Sequence, residues 1–264
     1  GDHIATLTAV DPNNSDLLTA KKALLNLVNQ QFELLPNFAD LWTPEGKKNK
    51  EIIFALCFNK NELTNWGANW FYNVALFTNA TDLDGNKYGP DPLKLLTAGP
   101  LRYEYKVPFI EIYDKEDTRL DATFFQYMFE GKTRGACWKK LMGHTDGGTH
   151  YYDSDVPVYR YADVLLMRAE ALVRNGQSGQ ADLDEVRNRV GAPHADATLD
   201  NLLKERMLEL AWEGWRRQDL IRFGKFNDAI TDRPKTEPYL QVFPIHANTL
   251  AVNQNLTQNP GYSK

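Results

Sequence analysis

Glu205, Glu209 and Glu213 recur every four residues in the segment ERMLELAWEGWRRQDLIR, residues 205–222. On an α-helix that spacing stacks them along one stripe. Two carboxylates of such a stripe suit glycoside hydrolysis, one as general acid and the other as nucleophile or base. Glu209 and Glu213 are the pair an all-α glycosidase would use. The same spacing carries a structural reading. Arg206 stands at contact distance along the helix from Glu209, Arg216 and Arg217 from Glu213, and Arg216 and Arg222 from Asp219. Arg160 and Arg168, further upstream, can join them. Every acid then has a basic neighbour, which is how half-buried charge is ordinarily kept. On that ground the stripe is expected to be an ion-pair network.

A second chemistry lies upstream. Trp66, Trp70, Tyr72, Tyr88, Tyr151 and Tyr152 fall on no periodic face, and Asn65, Asn69 and Asn73 stand beside the two tryptophans. A sugar ring presents an apolar face of C–H groups and a rim of hydroxyls. A flat Trp or Tyr covers the first, and Asn or Asp side chains bond the second. The candidate ligand-binding residues are therefore Trp66, Trp70, Tyr72, Asn65 and Asn69, joined by Tyr151 and Asp153. The alternative is that these rings only anchor their loop. Metal chemistry finds no foothold. Asp82-x-Asp84-x-Asn86 begins like a calcium loop, but Lys87 stands where the loop needs Gly and Leu93 where it needs an acid, so a turn is expected. His3, His144, His150, His194 and His246 are scattered, and no metal or cofactor is assigned.

The elements that must hold these residues divide the chain in texture. A helix is expected over 17–30, a short strand within 51–58, and another over Phe124–Phe129. Residues 59–100 form an irregular, aromatic-rich insert, and 143–155 a Gly/His/Tyr/Asp loop. From 159 onward the apolar residues recur at three and four, predicting a helix that Asn175-Gly176 stops, a second over about 180–190, and a third, longer one over 199–223 closed by Gly224. Gly214 then lies mid-helix at a cost of about 1 kcal/mol, which a close helix crossing flanked by Trp212 and Trp215 would explain. The expected fold class is mainly α, with helical hairpins, the unit of helical repeats such as the tetratricopeptide, beside a large irregular region. The 264 residues are 42% hydrophobic and 25% charged, ample for a core. A net charge of −5 argues against nucleic acid as a partner. No apolar run approaches the roughly 18 residues of a membrane-spanning helix. Cys57 and Cys137 form either one long-range disulfide or two buried free thiols.

The helical half resembles the SusD/RagB family. Tyr159 to Ala171 reads YRYADVLLMRAEA, Leu183 to Gly191 reads LDEVRNRVG, and the Glu205–Gly224 segment follows the family pattern ER…EL…EG-x-R…DL-x-R-x-G. Phe243-Pro244-Ile245 and Asn255 to Tyr262 resemble its ending, and Phe32 to Leu41 with Asn49 to Leu56 an upstream motif. Here His246 stands where Pro is common and Trp215 where His is frequent. The resemblance spans about 17–262, with 17–58 and 101–264 as scaffold and 59–100 as a candidate ligand-binding face. It implies a non-enzymatic, surface-exposed lipoprotein of the Bacteroidetes outer membrane. Such a protein binds glycan and delivers it to a TonB-dependent SusC-like transporter, with a peptide or other ligand as the alternative cargo. It also implies that the family's N-terminal half, with its lipid anchor, is absent. The helices of 159–223 are then expected to expose an apolar face, covered by a companion chain or by self-association.

Overall fold

The computed structural model describes residues 32–43, 46–59, 61–62, 81–86, 107–137, 140, 144–146, 149–151, 153–230 and 233–263. The helix expected over 17–30 and most of the 59–100 insert lie outside the described residues. The chain divides into two compact units, with the break after Gly214.

In the first unit a 3-10 turn, Phe38–Trp42, precedes β1, Ile52–Leu56, whose antiparallel partner is β6, Val156–Arg160. Between these strands come two short helices, α1 (Val107–Ile110) and α2 (Arg119–Thr123), and two hairpins. The hairpins pair β2 (Phe124–Phe129) with β3 (Lys132–Cys137), and β4 (His144–Asp146) with β5 (Thr149–Tyr151). The β4–β5 hairpin occupies the stretch expected to be an irregular loop. Its strands are three residues each, too short for a period-2 pattern to register in the sequence. Cys57 is a free thiol and is exposed, so it forms neither the disulfide nor the buried thiol expected of it.

Helices α3 (Tyr161–Arg174), α4 (Gln180–Arg189) and α5 (Leu199–Glu209) follow, with α3 packed on both others. The α3 helix ends as its Asn175-Gly176 pair foretells. The Gln177 N–H bonds Leu172 O at 2.9 Å and the Gly176 N–H bonds Val173 O at 3.0 Å, so the last turn's carbonyls find donors. Thr198 caps α5 by accepting the Asn201 N–H. The three helices close on Leu165, Leu166, Leu183, Val186 and Leu202, all fully buried. Burying a side chain of this size stabilises by about 1.5–3 kcal/mol. The helical-hairpin expectation holds for α3 and α4. Their contact is tight at Gly179, where a Cβ would meet Ala169 O at 2.5 Å and Ala169 Cα at 2.8 Å. Gly179→Val is therefore expected to push the hairpin apart and lower stability by about 1–3 kcal/mol, read as a fall in the urea midpoint at unchanged slope.

The long third helix does not form as one piece. It ends at Glu209 and restarts in the second unit as α6, Arg216–Arg222. Between them Trp212 and Gly214 take positive φ, 66° and 85°. Gly214 therefore serves a left-handed turn and not a helix crossing, and a Cβ there would meet nothing within 4 Å. Trp212 does pack, against the cluster of Tyr113, Phe124, Leu208 and Ala211. Contacts from distant elements accompany the break. Arg160 Nη2 donates to Glu209 O at 2.6 Å, and Lys140 Nζ donates to Ala211 O at 2.9 Å. Carbonyls that a continuing helix would bond to its own N–H groups are taken by cations from other elements.

The second unit carries α6, a 3-10 turn at Pro238–Gln241 and α7, Ala247–Val252. The exposed apolar residues are not where they were expected. Among the described residues of α3, α4 and α5 no large apolar side chain is exposed, because the helices spend their apolar faces on one another. The exposed ones are Phe54, Leu56 and Tyr159 of the β1–β6 sheet, Leu83, and a set from Ile230 onward.

Candidate functional site

Five cations and five carboxylates meet inside the first unit. Arg119 donates through Nη1 to Glu205 at 2.6 Å and to Glu209 at 2.9 Å, and through Nη2 to Asp117 at 2.6 Å. Arg160 reaches Glu51 at 2.9 Å, Glu209 at 2.6 Å and Glu213 at 2.7 Å. Arg187 pairs with Glu205, Arg189 bridges Glu51 and Glu209, and Lys140 holds Glu213 at 2.8 Å. These ten side chains are at most 7% exposed. Lys140 also lies over the Trp42 ring, 4.4 Å from its centroid.

Burial by itself would raise the pKa of Glu209. The guanidiniums of Arg189, Arg160 and Arg119 outweigh it and hold the group well below the ordinary glutamate range. Glu213 is likewise lowered: burial opposes, and Arg160 and Lys140 prevail. A general acid for glycoside hydrolysis needs the opposite shift, and a nucleophile needs an approach path. The acid stripe is thus an ion-pair network, as expected, but its partners differ from the helical neighbours the spacing suggested. Arg206 turns to Asp163 at 2.7 Å, Glu213 to Arg160 and Lys140, and Arg168 to Asp182 across the hairpin. Asp219 keeps its near neighbour, Arg222, at 2.6 Å.

This network anchors one end of the β1–β6 sheet through Glu51 and Arg160. The other end is tied by a second, smaller knot. Lys47 Nζ donates to Phe58 O at 2.8 Å and to Asp153 O, and stands 3.6 Å from Asp155. Asp155 in turn accepts the Phe58 N–H at 2.9 Å. The candidate ligand residues depart from this knot in two directions along the chain. Asn65, Trp66, Asn69, Trp70 and Tyr72 follow Phe58 and lie outside the described residues. Tyr151 closes β5, two residues before Asp153. Asp153 itself is buried, 6% exposed. Trp42, Lys47, Ser154 and Asp155 also line a cleft beside the knot. Sequence reasoning passed over Lys47 and Asp155, because their separation of more than a hundred residues leaves no local pattern.

Other candidates resolve plainly. Asp82 accepts the N–H groups of Asp84 at 3.0 Å and Asn86 at 2.8 Å, so the acidic triplet is a turn closed on itself. Among the described residues no group of three or more His, Cys, Asp or Glu is placed to hold a metal ion.

A model of the SusD family matches residues 128–262. The starch-binding protein SusD of Bacteroides thetaiotaomicron is 34% identical over 123 residues, covering 42% of this chain and 22% of that protein. A SusD superfamily structure from Bacteroides fragilis superposes with a TM-score of 0.81 at 25% identity, over 99% of this chain and 63% of that one. A laminarin-binding SusD-like protein gives 0.70 at 26% identity, over 94% of this chain and 59% of that one. The chain thus spans about three fifths of the solved structures it resembles. Its helix-rich architecture, with two-stranded sheets only among the described residues, is that of this superfamily.

Proposed function

The chain belongs to the SusD family, and from that premise we propose that it is the glycan-binding subunit of a nutrient-uptake system on the outer-membrane surface. It captures an oligosaccharide or polysaccharide and hands it, chemically unaltered, to a SusC-like TonB-dependent transporter. The observation that carries this reading is the likeness to proteins named for starch and laminarin binding.

In this reading Trp66, Trp70 and Tyr72 stack on sugar rings, Asn65 and Asn69 bond hydroxyls, and Tyr151 and Asp153 approach from the β5 side. The Lys47–Asp155 knot supports the arrangement, because it fixes the point from which both segments leave the scaffold. The buried network supports a role without catalysis, since Glu209 and Glu213 are fully engaged by cations. Affinity is modest, because a flexible, well-hydrated sugar gains only stacking and a few hydrogen bonds.

A glycan array followed by titration calorimetry tests the proposal. Replacing Trp66 and Trp70 together by Ala is expected to weaken the best array ligand by about tenfold or more while leaving the unfolding midpoint in place. Unchanged affinity would remove these rings from the site. An array without a single hit, beside measurable binding of peptides, would replace the sugar with a peptide as cargo.

A further inference from the structure

The cleft beside the Lys47–Asp155 knot lies wholly within the first unit and has a firmly built wall. Gly46 packs so closely on the 3-10 turn that a Cβ there would collide with the Asp40 carbonyl. Its N–H bonds the Thr43 carbonyl at 3.0 Å and the Thr43 hydroxyl at 3.1 Å. Asn49 clamps the far side: its amide donates to Gly46 O, and its Oδ1 accepts the N–H groups of Glu51 at 2.8 Å and Ile52 at 3.2 Å. Between these clamps Lys48 is held at φ 58°, in the left-handed region that residues with a Cβ seldom enter. A lysine kept where glycine would rest more easily points to a use for its side chain.

Charge in the cleft is local. Among the described residues its charged lining is Lys47, Lys48 and Asp155. Lys47 and Asp155 stand 3.6 Å apart and both are bonded into the knot, to Phe58 O and Phe58 N–H. Lys48 is exposed and has no hydrogen-bond or ion-pair partner among the described residues. The lining thus carries one uncompensated positive charge, over a floor of Leu41, Ile52 and Pro157. The room inside is about 20 Å³, where a single water needs about 10–15 Å³. A carboxylate or the end of a sulfate ester fits there, and a sugar ring does not.

We propose that this cleft receives a compact anionic substituent, a carboxylate or a sulfate ester, carried by a sugar of the captured glycan, and that Lys48 is the cation that meets it. The inference rests on the glycan-binding reading and narrows it to acidic glycans. The ring that bears the group stays outside the cleft, and the charge-assisted bond adds to whatever stacking holds the chain. An ammonium is a compact point charge, so it accepts carboxylate and sulfate alike.

An array carrying neutral, uronate-bearing and sulfated glycans tests this with the whole chain, followed by calorimetry of the best acidic ligand and of the same ligand with its carboxyls esterified or its sulfates removed. The best ligands are expected to be acidic, and the array shows which of the two groups is taken. Neutralising the ligand is expected to weaken binding by about tenfold or more, and Lys48→Gln to abolish that difference while Lys48→Arg keeps it. Neutral ligands should bind Lys48→Gln and wild type equally. Lys48→Gly, which suits the left-handed backbone, should lose the preference for acid at an unlowered unfolding midpoint. Neutral best ligands whose binding is lost with Trp66 and Trp70 would overturn this inference and leave the glycan reading standing. An acid preference unchanged in Lys48→Gln, or an equal loss of neutral and acidic ligands in it, would overturn it as well. An array with no sugar bound at all would overturn both.

Discussion

Arg160→Met is expected to destabilise the first unit by about 3–5 kcal/mol, the cost of leaving buried carboxylates without their cation. Arg160 is 1% exposed and serves three acids, Glu51, Glu209 and Glu213, together with the Glu209 carbonyl at the end of α5. Its removal therefore strips one partner from each acid and a donor from a helix terminus. Marginal domains have about 5–15 kcal/mol in total, so the variant stands near the threshold of folding. Arg160→Lys is expected to recover only part of the loss, because a single ammonium cannot reproduce a planar fork that spans three carboxylates. Urea unfolding followed by tryptophan fluorescence measures both. A shift below about 1 kcal/mol, the worth of an exposed pair, would show that the network relaxes around the gap and would refute the account given of it.

Acid is expected to unfold the protein through the same network. Glu209 and Glu213 have folded-state pKa values lowered from an ordinary value of 4.5. The stability they contribute is complete above that value, where the unfolded chain is also ionised, and is lost as pH falls through the depressed folded values. Asp163 works in the opposite sense. Burial raises its pKa above the ordinary 3.8 despite Arg206, so its contribution favours the folded state as pH falls through that window. Glu185, raised by burial, acts with Asp163, and Asp82, lowered by its bonds to Asn86, acts with the two glutamates. Glu209, held well below the ordinary range by three guanidiniums, tips the balance to a net loss in acid. The urea midpoint is expected to hold from neutral pH to about pH 5 and to fall steeply by about pH 3. Glu213→Gln should make that fall shallower, since one of the two groups no longer titrates. A midpoint flat across the range would show that these acids titrate alike in the folded and unfolded chain, and a midpoint that rises in acid would show that they are not ionised in the folded state; either would refute this account.

Much of the helical half is legible in the sequence because its signals are local. The three-four recurrence through Tyr161–Val173, the Asn175-Gly176 stop and the Gln180–Val190 run each lie within one element, and the structure forms each within a residue or two. The strands at 52–56 and 124–129 were legible for the same reason. The stripe of acids was legible as an ion-pair network from its four-residue spacing and the basic residues within helical reach of it.

Which cations was another matter. Arg119 lies 86 residues from Glu205, and Arg160 lies 109 from Glu51. No periodicity links residues so far apart, and near neighbours such as Arg216 and Arg217 look like equally good partners on a helical wheel. The helix break at 210–215 is decided the same way. Its sequence reads as continuing helix, and only Arg160 and Lys140, brought in from elsewhere, claim the carbonyls that continuation requires. Residue type and short-range spacing thus determined that this is a helix-scaffolded protein whose acids are paired. Tertiary contact decided where α5 stops, which cation holds which acid, and how Lys47 and Asp155 tie one end of the β1–β6 sheet. Turns and helices are set by bonds that close within a few residues, whereas the pairing of buried charge is settled only when distant segments share one desolvated space.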